Sequence, residues 1–94
     1  MKQIKITILE KDLRNADYCE PMDCPIARAI NRIGSNANIS IMNGDFDLKE
    51  DKYDIMNPRK VSIKVHNIMY KTKKYKSFNA ILKIKKIKNL TSKT

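Results

Sequence analysis

Tryptophan is absent from this 94-residue chain, histidine occurs once, glycine and cysteine occur twice each, and proline three times. Two cysteines, Cys19 and Cys24, cannot build a disulfide scaffold and fit a reducing cytosol in which thiols stay free. The scarcity of glycine and proline excludes a low-complexity or fibrous chain. No run of about 18 apolar residues occurs, so a membrane span is excluded. The start, Met1-Lys2-Gln3, leads directly into alternating apolar and polar residues, so no secretion signal is expected. The length accommodates one domain over residues 1–94, with 90–94 expected as a flexible tail, and it excludes multi-domain enzymes. What the chain does contain is a 41% hydrophobic fraction rich in Ile, Leu, Val and Met, enough for a folded core despite 32% charged residues.

The second absence is of acid. Residues 55–94 hold twelve bases and no Asp or Glu, whereas residues 1–54 hold all ten acids against eight bases. The net charge of +10 therefore resides entirely in the second part. Such self-repulsion destabilises a compact state unless an anion offsets it, and this asymmetry points to nucleic acid or another polyanion. A bland alternative is compositional: a genome that favours Ile, Asn and Lys fills solvent-facing positions with lysine. That bias explains many lysines but not forty residues without an acid.

Periodicity supplies the fold. Ile4, Ile6 and Ile8 alternate with Lys5 and Thr7 and predict a strand over residues 2–9. Glu10–Asp17 makes at most one helical turn before a polar loop through Met22. Ile26, Ala27, Ala29, Ile30 and Ile33 recur at helical spacing. Asp23 or Cys24 can cap the start, Pro25 suits the first turn, and Gly34 can end the helix in a left-handed conformation, so a helix is predicted over Pro25–Ile33. Ser35–Asn38 reads as loop and residues 38–42 as a strand. Asn43-Gly44 reads as a hairpin turn leading back through Asp45–Leu48. Lys49–Asn57 reads as an acidic loop. Val61, Ile63 and Val65 alternate as a strand reaching toward Tyr70, and Lys71–Lys74 turns it into a partner over residues 78–85. The expectation is an α+β fold with one main helix on a mostly antiparallel sheet of four to five strands.

The predicted hairpin over residues 60–88 is the candidate site. In it Lys60 and Lys64 share a face with His66, Lys83 and Lys85 project together, and Lys71, Lys73, Lys74, Lys76 and Lys86 add charge. Tyr70, Tyr75 and Phe78 are interleaved near the turn. Phosphate neutralisation plus stacking requires such a surface. Lysine is a point charge without the bidentate fork used to read bases, so weak sequence specificity is expected.

The remaining groups point to no metal, cofactor or catalytic set. Cys19 and Cys24 lack further thiols or a suitably spaced histidine for zinc. A disulfide between them is sterically open but out of place in the cytosol. A helix start can activate a thiol, yet Asp23 opposes the thiolate, and packing is the expected role of Cys24. His66 stands without a nucleophile or carboxylate at a recognisable spacing. Asp45, Asp47, Glu50, Asp51 and Asp54 could approach a divalent ion but match no calcium loop, and they read as an acidic loop that pairs with the basic hairpin.

The segment Asp23-Cys24-Pro25-Ile26-Ala27-Arg28-Ala29-Ile30, some fifteen residues after the strand Ile4–Ile8, resembles a pattern of small uncharacterised bacteriophage and prophage proteins. The resemblance covers roughly the first 45 residues, rests on Cys24-Pro25-Ile26-Ala27, and implies origin and not chemistry. The leading expectation is a small non-enzymatic phage-type accessory protein, in the host cytoplasm or the virion, whose basic hairpin binds nucleic acid or an acidic protein surface. Two alternatives are a virion or assembly component that forms homo-oligomers through strand edges, and an inhibitor or nucleotide sponge acting on a host defence system.

Overall fold

The structure, a computed structural model, describes residues 2–14, 16 and 19–89. The expected tail, residues 90–94, lies outside the described residues. The elements in order are β1 (Lys2–Ile8), α1 (Glu10–Arg14), α2 (Pro25–Ile30), β2 (Ser35–Ile39), β3 (Gly44–Leu48), β4 (Asp51–Ile55), α3 (Pro58–Asn67), a π-helical turn (Ile68–Thr72) and β5 (Phe78–Asn89). The five strands form one sheet, ordered β1-β5-β4-β3-β2 and antiparallel throughout. The α+β expectation holds.

β1 forms as its alternation dictates: Ile6 and Ile8 are buried while Lys5 and Thr7 face water. β5 repeats the pattern with Ala80, Leu82 and Ile84 inward. Helix α2 packs against both β1 and β2, the two edge strands, so the sheet curls around it. Ile26, Ala27, Ala29 and Ile30 are all buried as a result, and with Ile6, Ile8, Phe46, Leu82, Ile84 and Val65 they form one core. The curl also places partners on the sheet edges. The amide of Ile39 donates to the Pro21 carbonyl, that of Ala37 to Asn31 Oδ1, and Arg32 Nη2 donates to the carbonyl of Thr7.

Several local expectations are overturned. Residues 61–65 are helical, within α3. Val61 and Val65 are four apart, so they share a face on a helix as well as on a strand. Pro58 at the first helical turn settles the conflict in favour of the helix, leaving Ile63 on the outside at 42% exposure. The predicted hairpin 60–88 therefore does not exist, and β5 pairs with β1 and β4. The regular part of α2 ends at Ile30, with residues 31–33 as turn. Gly34 is not left-handed; among described residues positive φ falls on Asn36, Lys49 and Lys73. What Gly34 provides is closeness, since a Cβ there would collide with the Asp47 carbonyl oxygen. The stretch expected as loop at 35–38 is β2. The reversal after it runs through Ser40–Asn43, where the Ser40 amide donates to the Asn43 carbonyl, and Gly44 opens β3. The acidic loop contains β4, whose Tyr53 and Ile55 are buried.

Candidate polyanion-binding face

All nine lysines singled out from the sequence are exposed, but the fold divides them into two groups. Lys60 and Lys64 stand one turn apart on α3. Lys71 continues from the π-helical turn, and Lys73, Lys74 and Lys76 follow in the connection to β5. Lys73 takes a left-handed conformation, φ 54°, that ends the helical segment and sends the chain back toward the sheet. Lys83, Lys85 and Lys86 lie on β5, between β1 and β4 in the sheet. Lys83 and Lys85 do project together, on the face opposite the buried Leu82 and Ile84, but away from the α3 lysines with which the hairpin would have joined them.

The two groups differ in their surroundings. β5 runs beside β4, so Lys85 pairs in register with Asp54, and Lys86 Nζ lies 3.8 Å from Asp51 Oδ1. Asp45 and Asp47 are held by Lys52, at 3.5 and 3.6 Å, and Asn36 donates to Asp47 at 2.7 Å. Of the expected pairing between the acidic segment and the basic residues 60–88, the ion pair found among the described residues is Lys86–Asp51, while Asp45 and Asp47 pair with Lys52 of the acidic segment itself. Lys60, Lys64, Lys71, Lys73, Lys74 and Lys76 make no ion pair among the described residues.

The aromatic groups serve mainly the core. Tyr75 and Phe78 are half-buried and pack against it, while Lys64 Nζ sits 4.5 Å from the Phe78 ring centroid and the Arg14 guanidinium 4.9 Å from that of Tyr75. Arg14 is also bound to Glu10 at 2.6 Å. Tyr70 is 52% exposed, with its ring 4.9 Å from His66. It is the aromatic beside the lysines best placed to stack on a base.

Cys24 acts as the cap of α2. Its Sγ accepts the Ala27 amide at 3.4 Å and lies 4.0 Å from the Ile39 carbonyl oxygen. Burial pushes the thiol above its ordinary range, against the opposing pull of the Ala27 and Ile26 amides, and the Asp23 charge adds to the rise. Asp23 is turned toward Arg28, with contacts of 2.8 and 3.1 Å that hold its carboxyl below the usual carboxylate range. Cys19 is exposed, and among the described residues neither cysteine is in a disulfide. Both line an apolar cleft of about 290 Å³ between α2, α3 and residues 39–41. Among the described residues no three His, Cys, Asp or Glu side chains gather as a metal site, and no helix is long and apolar enough to cross a membrane.

Comparison of the chain with protein-family models, with curated proteins and with solved structures returns no match.

Proposed function

We propose that this chain is a small non-enzymatic accessory protein, of the phage type that residues 23–30 resemble, and that it binds a polyanion, nucleic acid foremost, through the lysines of α3 and the turn that follows it. One observation carries the reading. Six exposed lysines, Lys60, Lys64, Lys71, Lys73, Lys74 and Lys76, occupy one continuous stretch of chain with no ion pair among the described residues, while Asp45, Asp47 and Asp51 are engaged with Lys52 and Lys86. A cation without a counter-charge keeps its full attraction for phosphate and releases a condensed counterion when it binds. Tyr70 adds a stacking surface at the same place. Lys83 is a secondary contributor, Lys86 is partly neutralised by Asp51, and Lys85 stands opposite Asp54 in the β4–β5 register.

The test is a titration of single- and double-stranded DNA at 50 and 200 mM salt. With about five phosphate contacts, affinity falls several hundred-fold between the two concentrations. Salt-independent affinity, or no binding at 50 mM, overturns the reading.

A further inference from the structure

The long strand β5, between β1 and β4, is only half covered on its β4 side. β5 pairs with β1 through residues 78–84 and with β4 only from Ile84 onward. The Met56 amide donates to the Lys83 carbonyl, which fixes the alternation: Asn79, Ile81 and Lys83 direct their peptide groups away from β1. At Pro58 the chain leaves the sheet for α3, and Asn57 stands in for the missing strand. Its Nδ2 donates to the Ile81 carbonyl at 3.1 Å, and its Oδ1 accepts the Lys83 amide at 2.9 Å. The substitution stops there. The N–H and C=O of Asn79 and the N–H of Ile81 have no hydrogen-bond partner among the described residues. Elsewhere the fold does place groups on its edges, with Pro21 and Asn31 along β2 and Arg32 at the end of β1.

This uncovered stretch opens onto a cleft of about 190 Å³ between β5 and α3. Lys60, Val61 and Lys64 form one wall, and Phe78, Asn79 and Ile81 the other. We infer that the cleft accepts an extended acidic peptide segment from a partner protein, which adds to the edge of β5 at Asn79 and Ile81 while its carboxylates meet Lys60 and Lys64. The order of the unpaired groups selects this occupant. Donor, acceptor and donor at alternate positions match an extended backbone, which satisfies all three, whereas a phosphate facing the same stretch meets the Asn79 carbonyl head-on. Charge selects the side chains, since both lysines on the wall are exposed and make no ion pair among the described residues. The inference does not depend on nucleic-acid binding, because it uses backbone groups that phosphate neutralisation does not need.

The probe is an eight-residue peptide of alternating glutamate and threonine, compared with the same peptide N-methylated at alternate amides and with an oligodeoxythymidylate of eight nucleotides, all at 50 mM salt. The expected result is that the plain peptide binds, N-methylation weakens it at least tenfold, and Lys60→Gln with Lys64→Gln weakens it to a similar degree. Ile81→Pro removes an outward N–H without touching the β1 ladder, a position at which a strand tolerates proline. It weakens the peptide at least tenfold and leaves oligonucleotide affinity unchanged. Equal binding of the methylated peptide overturns the inference, as does absence of peptide binding. An oligonucleotide affinity that falls tenfold in the proline variant also overturns it, by assigning the edge to nucleic acid. If the proline variant fails to fold, the methylated peptide decides on the unaltered chain.

Discussion

Arg32 Nη1 lies 2.7 Å from Oδ1 of Asp12, a carboxylate only 2% exposed. The other oxygen of Asp12 accepts the Leu9 amide at 2.8 Å, and the other arm of Arg32 donates to the Thr7 carbonyl at 2.6 Å. One ion pair therefore joins the end of β1, the start of α1 and the turn after α2. These are the segments that must meet for the sheet to curl around α2.

Removing Arg32 leaves a buried carboxylate with the Leu9 amide as its remaining hydrogen-bond partner among the described residues, a situation that costs about 3 kcal/mol. Arg32→Ala is expected to lose about that much in urea denaturation, and Asp12→Asn about 1–2 kcal/mol because the amide retains the Leu9 bond. A loss below about 0.5 kcal/mol for Arg32→Ala would show that solvent replaces the pair.

This network was not legible in the sequence, because Asp12 and Arg32 are twenty residues apart and only the curl brings them together. β1, the start of α2 and the inward residues of β5 are legible, since Ile4, Ile6 and Ile8, and Ala80, Leu82 and Ile84, alternate with no proline a turn ahead of them to start a helix, while Cys24-Pro25 marks a helix start. Val61, Ile63 and Val65 satisfy two periods, and Pro58 outweighs the alternation. β4 is hidden in the sequence because Asp51, Lys52 and Asp54 surround its two buried residues, Tyr53 and Ile55. The exposure of the lysines is legible from their charge, but which of them share a surface depends on whether residues 60–72 form a strand or a helix. That single choice regrouped the candidate site.

The two glycines should respond differently to a methyl group. At Gly34 the added Cβ meets the backbone of Asp47, which is paired in register with Ser35, so β2 and β3 must separate. Gly34→Ala is expected to cost about 2–3 kcal/mol or more. At Gly44 the Cβ meets Ile39 Cδ1 and Ile55 Cδ1 at 3.1 Å, both ends of flexible side chains. Neither glycine has a positive φ, so the reduced freedom of the unfolded chain offsets the contact, and Gly44→Ala stays within about 1 kcal/mol of the parent. Thermal unfolding of the two variants checks the order, and equal losses would contradict the packing described.

Cys24 should resist alkylation at neutral pH and react only after unfolding, while the exposed Cys19 reacts in the native state. The raised Cys24 thiol also predicts an alkaline slope. The unfolded chain releases this proton at the ordinary thiol value of about 8.5 and the folded chain only at higher pH. Its contribution to stability is therefore complete below that value and is lost as pH rises through the window between the two. Cys24→Ser, which keeps an oxygen to cap α2, should flatten the slope between pH 8 and 10 in urea titrations. Native Cys24 alkylated as fast as Cys19 would refute the cap.

The last prediction separates the lysines by their neighbours. Lys86 lies 3.8 Å from Asp51 and Lys85 stands opposite Asp54 in the β4–β5 register, so both sit beside the carboxylates of β4. Lys73 and Lys74 follow the π-helical turn with no ion pair among the described residues. Neutralising both of the latter, Lys73→Gln with Lys74→Gln, removes two full phosphate contacts. It should lower the slope of log affinity against log salt by about 1.8, near 0.9 for each contact. Lys85→Gln with Lys86→Gln makes the same formal change in net charge but also frees Asp51 beside the neighbouring Asp54, and its effect on the slope should be under about half as large. The measurement is fluorescence anisotropy of a labelled oligonucleotide with both double variants across 50–200 mM salt. Equal slopes would mean that net charge alone governs binding and that the site is not localised to α3 and the turn after it.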